Sequence, residues 1–181
     1  MIRIFFYLAS IVTANVVTAR FAPLEFWMFI VPMGSFLIGA TFIFRDLVQN
    51  KFGRKRTYGL ILLALVLSAA VSYLLGDTLI IVAASALSFL IAETSDTEIY
   101  TRLELPMAWR VFYSGIVGGL LDSVVFVIVG LSPFGAGYVP WAAVPAAIIG
   151  QVIVKTVMQM IGAFMLGRGL AYKDNRLSKA S

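Results

Sequence analysis

Four ionisable residues stand where an apolar chain should have none. Asp122 and Lys155 each lie near the middle of a hydrophobic run, and Glu93 and Asp96 interrupt a third. An ionisable side chain at the centre of a membrane helix costs roughly 2.5–3.5 kcal/mol on insertion scales, so it turns toward a partner or a wet cavity. Gln151, Lys155 and Gln159 follow one another at four-residue steps, which stacks them on one face of a helix. Asp122, followed by Ser123, falls at a similar depth in the preceding run, so an Asp122–Lys155 ion pair between antiparallel neighbours is expected. The plainer alternative is a pair that only locks two helices, because buried charges need compensation whatever else they do. The amides extending the stripe beyond one pair favour a cavity wall.

In the fourth run Ser85 and Ser88 share a face that Ser95 and Asp96 continue two to three turns on. This reads either as a polar wall leading from mid-membrane toward one mouth or as a helix end emerging into water. Glu93 and Asp96 stay open between the two. Glu98, Arg102 and Glu104 fit the second reading, with Glu98 and Arg102 as an i, i+4 surface pair. Asn15 in the first run can bond a polar ligand edge or a neighbouring helix. Arg45 and Asp46, at the end of the second run, read as a topology anchor rather than a gate.

The elements that must position these residues are membrane helices. The chain has 181 residues, 61% of them hydrophobic, too apolar for water to be the solvent of much of its surface. The spans run from about Ile4 to Ala19, Leu24 to Phe44, Tyr58 to Leu75, Leu79 onward, Val111 to Leu131 and Ala142 to Gly167. Pro32, Gly34 and Gly39 in the second predict a kink or a close helix approach. A basic connection, Arg45 to Arg56, follows it, and Gly76-Asp77 closes the third span as a turn. The uninterrupted apolar part of the fourth, Leu79 to Ala92, is shorter than the ~20 residues a spanning helix needs. With no Gly or Pro before Pro106, the helix is expected to continue through Glu93 to Tyr100. Gly115, Gly118 and Gly119 allow tight packing of the fifth span.

Lys and Arg set the orientation. Arg3, Arg45, Lys51, Arg54, Lys55, Arg56, Arg102, Arg110 and the tail residues Arg168, Lys173, Arg176 and Lys179 fall on one side, and only Arg20 on the other. The expected fold is therefore all-α and integral to the membrane. It is a single polytopic domain, residues 1–181, of six transmembrane helices with both termini cytoplasmic. Trp27, Trp109 and Trp141 fall at span ends as interfacial anchors. A cleavable signal peptide is a second reading of the first span, from Arg3 and Val17-Thr18-Ala19; the short leading segment and Asn15 favour a retained helix. The net charge of +5 is a topology signal, not a nucleic-acid footprint.

The chain contains no Cys and no His, which excludes disulfides, Cys/His zinc sites and a Ser-His-Asp triad. It has no phosphate-binding loop, and no metal or other cofactor is expected. An enzyme using Glu93 and Asp96 for acid–base work is the rival from another class, but neither nucleophile motif nor cofactor loop accompanies them. A structural or assembly subunit is a third reading.

Several segments together resemble the queuosine precursor transporter family, also called the vitamin uptake transporter (VUT) family. They are Ala14-Asn15-Val16-Val17, Phe44-Arg45-Asp46-Leu47 with Phe52-Gly53, Ala84 to Leu90 through Asp96, Ser114-Gly115 with Gly119 to Ser123 and Phe126, and Gln151 to Lys155. The resemblance implies a six-helix inner-membrane protein that takes up 7-deazaguanine precursors of queuosine such as preQ0 and preQ1. A deazaguanine shows adjacent N–H donors beside a carbonyl. Asp122, Asp96 or Glu93 suits the donors, and Lys155, Gln151 or Asn15 the carbonyl. The expected binding set is thus Asn15, Ser85, Ser88, Glu93, Asp96, Asp122, Gln151 and Lys155. Expected partners are the solute and the bilayer, with a homo-oligomer or an energy-coupling subunit open. Ala9, Ser10, Thr13 and Ala14 offer a small-residue face for such a subunit.

Overall fold

The computed structural model describes residues 1–26 and 29–178. Trp27 and Lys179 lie outside them. Six helices cross the molecule: α1 (Ile2–Arg20), α2 (Ser35–Phe52), α3 (Arg54–Leu74), α4 (Leu79–Arg102), α5 (Met107–Val125) and α6 (Val144–Ser178). Among the described residues five candidate spans are long and apolar enough to cross a bilayer, and α2 is the helix that falls outside that set. It carries Arg45, Asp46, Gln49 and Lys51, and the other helices bury the first three of these. Helix α2 contacts α1, α3, α4, α5 and α6, so the helix that carries Arg45 and Asp46 is the central one. The chain is multi-pass, as expected from its apolar runs.

The second span departs from expectation. Its first part is a short antiparallel hairpin, β1 (Leu24–Phe26) and β2 (Phe29–Val31). Pro23 and Pro32 bracket it. A proline lacks the N–H a helix interior needs and pushes the preceding residue toward extended backbone, so a helix cannot run through Pro32. Helix α2 starts beyond it and continues past Phe44 to Phe52, through two thirds of what reads as a basic connection. Gly53, at φ 81, then breaks it from α3. No helix kink forms at Pro32. The close approaches do form: Gly34 lies against the Ala14 carbonyl and Thr18 of α1, and Gly39 against Met158 of α6.

Helix α4 continues without interruption through Glu93 and Asp96 to Arg102, as its lack of breakers predicts. Helix α5 ends in a stretch of π-helix, Phe126–Leu131, and a short 3₁₀ turn, Trp141–Ala143, leads into α6. Trp109 and Trp141 are more than half exposed at the ends of their spans. Glu98 lies 3.6 Å from Arg102 and also pairs with Arg54 and Tyr58 on α3. On α1, Ser10 and Ala14 are buried, and the Ser10 hydroxyl lies 3.2 Å from Thr41 of α2. Half of the expected partner-docking face is therefore already used inside the chain, leaving Thr13 exposed.

Glycines bring α5 against the charged helices. A Cβ on Gly118 would stand 3.1 Å from the Asp96 Cβ and 3.3 Å from the Phe42 ring. Gly118→Val should therefore force α4 and α5 apart, at an over-packing cost of about 1–3 kcal/mol. A lowered melting temperature in detergent checks this; an unchanged one would show that the interface has slack.

Candidate functional site

At the end of the bundle formed by the hairpin, the Gly76-Asp77 turn and the Ser132–Pro140 connection, a cavity of about 430 Å³ opens toward mid-membrane. That size suits a small-molecule ligand. The hairpin supplies Glu25 and Ile30 to its wall, and the α3–α4 turn supplies Asp77, whose carboxylate accepts a hydrogen bond from the Ser72 hydroxyl. Deeper, α1 contributes Asn15, α4 Ser85 and Ser88, α5 Asp122, and α6 Gln151. Phe21, Phe126 and Tyr138 place aromatic rings around the space. Phe126 begins the π-helical stretch, a departure from α geometry that recurs at functional sites.

The expected ion pair forms. Lys155 Nζ donates to Asp122 Oδ2 at 2.6 Å, to Ser123 Oγ at 2.8 Å and to Gln151 Oε1 at 3.2 Å. These bonds use all three ammonium donors, so Lys155 lies behind the cavity wall and orients Asp122 and Gln151 from there. Gln151, with its carbonyl engaged by Lys155, keeps a buried Nε2 with no partner. Asn15 Nδ2 donates to the Ser68 carbonyl and hydroxyl at 3.0 and 2.8 Å, which ties α1 to α3 and leaves the Asn15 carbonyl as an acceptor. Asn15 is thus a tie between helices that also borders the cavity. The second amide of the stripe, Gln159, is fully buried and donates to the Gly39 carbonyl at 3.0 Å, a helix-to-helix role.

Glu93 and Asp96 do not line this cavity. They belong to a second constellation nearer the other end, built on Arg45. Arg45 Nη2 lies 3.0 Å from Asp46 Oδ1, Arg45 Nε 3.5 Å from Glu93 Oε2, and the guanidinium also pairs with Asp96. Its Nη1 donates to the Thr97 hydroxyl at 2.6 Å. All four ionic side chains are at most 1% exposed. Arg45 and Asp46 are therefore no interfacial anchor: the continuation of α2 carries them into the core, where a charge must be met by an opposite charge. Tyr7 of α1 and Tyr100 of α4 are buried beside the cluster, and Gln49 Nε2 donates to Thr101 at 2.8 Å.

A small space of about 30 Å³ lies between the two constellations, bounded in part by Asn15, Ser85, Asp122 and Glu93. It has room for about one water. Asn15, Ser85 and Asp122 also bound the large cavity, so the two spaces share walls.

Sequence reasoning did not place Arg45, Asp46, Tyr7 or the hairpin residue Glu25 at these sites. The available signal for Arg45 was four-residue spacing on a helical frame, Thr41, Arg45 and Gln49, all of them buried. Among the described residues there is no group of three or more acidic residues arranged to hold a metal ion.

No curated protein and no solved structure matches the chain. Residues 59–167 match the family model described as "Putative vitamin uptake transporter". Together with the multi-pass architecture, a match over more than half of the sequence means that this chain belongs to that family of membrane transporters.

Proposed function

We propose that the protein takes up a flat heteroaromatic solute of the 7-deazaguanine class, the queuosine precursors preQ0 and preQ1, and that the solute binds in the large cavity. The observation that carries this is the unpartnered Gln151 amide beside Asp122, a donor and an acceptor held side by side by Lys155. A deazaguanine carries the complementary set, a carbonyl next to N–H donors, and a carboxylate takes two such donors in a bidentate pair. Asn15, Ser85 and Ser88 extend the polar wall, while Phe126, Phe21 or Tyr138 offers a face for the ring. In this reading Lys155 acts through Asp122 and Gln151. Glu93 and Asp96, expected among the solute ligands from sequence, act below the solute.

The end that carries Arg3, Lys51, Arg54, Lys55, Arg56 and Arg102 faces the cytoplasm on the positive-inside rule, in an inner membrane. The cavity then opens outward, which is the state that accepts solute for uptake. No chemical step on the solute is required.

The cavity wall also predicts a preference within the class. Glu25, Asp77 and Asp122 contribute to it, and no Lys or Arg does among the described residues. PreQ1 carries an aminomethyl cation where preQ0 carries a neutral nitrile, so preQ1 should bind several-fold more tightly, with the difference shrinking as salt screens the mouth. A thermal-shift screen of deazapurines, purines and vitamins on the purified protein tests both statements. A specific ligand at about 100 times its dissociation constant adds about 2.7 kcal/mol to stability. Stabilisation by a vitamin and not by any deazapurine would overturn the ligand assignment.

A further inference from the structure

The ionic groups gathered around Arg45 do not balance, and the imbalance is one. The groups that face the Arg45 cluster come from five helices. Tyr7 lies on α1, Arg45 and Asp46 on α2, and Glu93, Asp96 and Tyr100 on α4. Arg110 and Asp122 lie on α5, and Lys155, bonded to Asp122, on α6. Helix α3 instead turns Arg54 and Tyr58 to Glu98. Asp122 is already matched by Lys155, and within the cluster the carboxylates Asp46, Glu93 and Asp96 make three, against two cations, Arg45 and Arg110. Arg110 is itself held over the Tyr100 ring at 4.0 Å and donates through Nε to the Tyr100 carbonyl at 2.9 Å. In a medium that disfavours net charge, one proton completes this set, and carboxylates this close share it rather than own it.

Two further observations make the cluster a binding site and not only an ionic clasp. The Tyr100 hydroxyl, on a residue 1% exposed, has no hydrogen-bond partner, and the fully buried Tyr7 hydroxyl faces Glu93. Glu93 also borders the small space that shares Asn15, Ser85 and Asp122 with the solute cavity. A water there would link the cavity to the Glu93 carboxylate.

Resting on the transport reading above, we infer that Asp46, Glu93 and Asp96 around Arg45 form the proton-binding site of a proton–solute symporter, loaded from the solute cavity through Glu93. The transfer balances simply. With the cavity open outward, an external hydronium gives its proton to a Glu93 oxygen, forming an O–H bond and leaving water. The neutral cluster can then loosen without stranding a charge. Once the cytoplasmic end opens, the proton passes to water there, and the restored carboxylate draws Arg45 back.

The full chain in liposomes containing a pH-sensitive dye, with preQ1 added outside, tests this. Solute uptake should acidify the interior. A tenfold inward proton gradient should drive up to about tenfold accumulation for one proton per solute, abolished by a protonophore. Uptake to the same level without a gradient, without acidification, or driven instead by sodium would overturn the coupling and leave the transport reading intact. Failure of preQ1, or of any ligand found by the thermal screen, to enter at all would overturn both. Infrared spectra of the protein in lipid read the proton itself. A protonated-carboxyl band at neutral pH, sensitive to deuterium and diminished in Glu93→Gln or Asp46→Asn, is expected. Its absence from the unmodified protein would remove the proton site whatever the liposomes show.

Discussion

Arg45→Ala is expected to yield little folded protein, with the remainder melting well below the parent. The guanidinium is fully buried and is the cation in direct contact with three carboxylates drawn from two helices. Removing one partner of a buried ionic set costs about 3–5 kcal/mol, because the charges left behind have neither water nor a counter-ion. That is of the order of a whole domain's stability. Arg45→Lys should recover only part of the loss. An ammonium is a compact point donor and cannot reproduce the planar fork that reaches Asp46, Asp96 and Thr97 at once. Replacing the whole set by near-isosteric neutral residues, Arg45→Met with Asp46→Asn, Glu93→Gln and Asp96→Asn, should restore much of the folding, since a neutral core avoids the desolvation of all four groups. Size-exclusion profiles and melting curves in detergent separate these cases. A stable, monodisperse Arg45→Ala protein would show that the cluster is wet in solution, and with that the seal at this end of the bundle would be lost.

The same residue marks the boundary of what the sequence discloses. Helix α4 was legible because the absence of Gly and Pro before Pro106 leaves nothing to stop it. The α6 stripe was legible because Gln151, Lys155 and Gln159 obey one period and lipid can satisfy none of them. The Asp122–Lys155 contact followed from depth in antiparallel neighbours. Helix α2 was misread for a physical reason. Its end looks like a connection because Lys51 and the first residues of α3, Arg54, Lys55 and Arg56, are indeed exposed, and Arg45 sits only six residues before Lys51 in the same charged run. Which charges of that run are inside depends on where the helix begins, and Pro32 moves that start past the hairpin. The division of labour between Glu93, Asp96 and the solute cavity was likewise invisible, since it depends on Arg45 reaching α4.

The two constellations also assign different duties to the two halves of the bundle. One half holds the cavity and ends in loops and a hairpin, whereas the other is closed by side chains that attract one another. Alternating exposure requires the reverse arrangement to be reachable at a cost of a few kcal/mol. A closure made of ion pairs meets that requirement if its charge can be cancelled, and a closure of interdigitated apolar side chains would not respond to a proton in this way.

Asp122→Ala and Lys155→Ala should each abolish uptake, yet for reasons that one further variant separates. Either change strands a charge behind the cavity wall and removes the bond that orients the other. Lys155→Ala also frees the Gln151 carbonyl, so the amide loses the orientation that presents its Nε2 to the cavity. Each single variant should lose stability by about 3–5 kcal/mol. The paired change Asp122→Asn with Lys155→Met removes both charges and should fold far better than either alanine variant. If Asp122 and Lys155 were only a clasp between α5 and α6, this pair would also transport. If Asp122 accepts hydrogen bonds from the solute, the pair should fold and still fail, because a charged acceptor is lost. A hydrogen bond to a charged group contributes about 1.5–3 kcal/mol, so solute affinity should fall roughly 10- to 150-fold. Asp122→Asn alone does not distinguish the cases, since it leaves Lys155 unpaired. Uptake of preQ1 at matched protein levels, set beside melting temperature for all four proteins, gives the answer. A folded double variant with normal uptake would reduce the pair to a structural lock and move solute recognition to Asn15, Ser85 and Ser88.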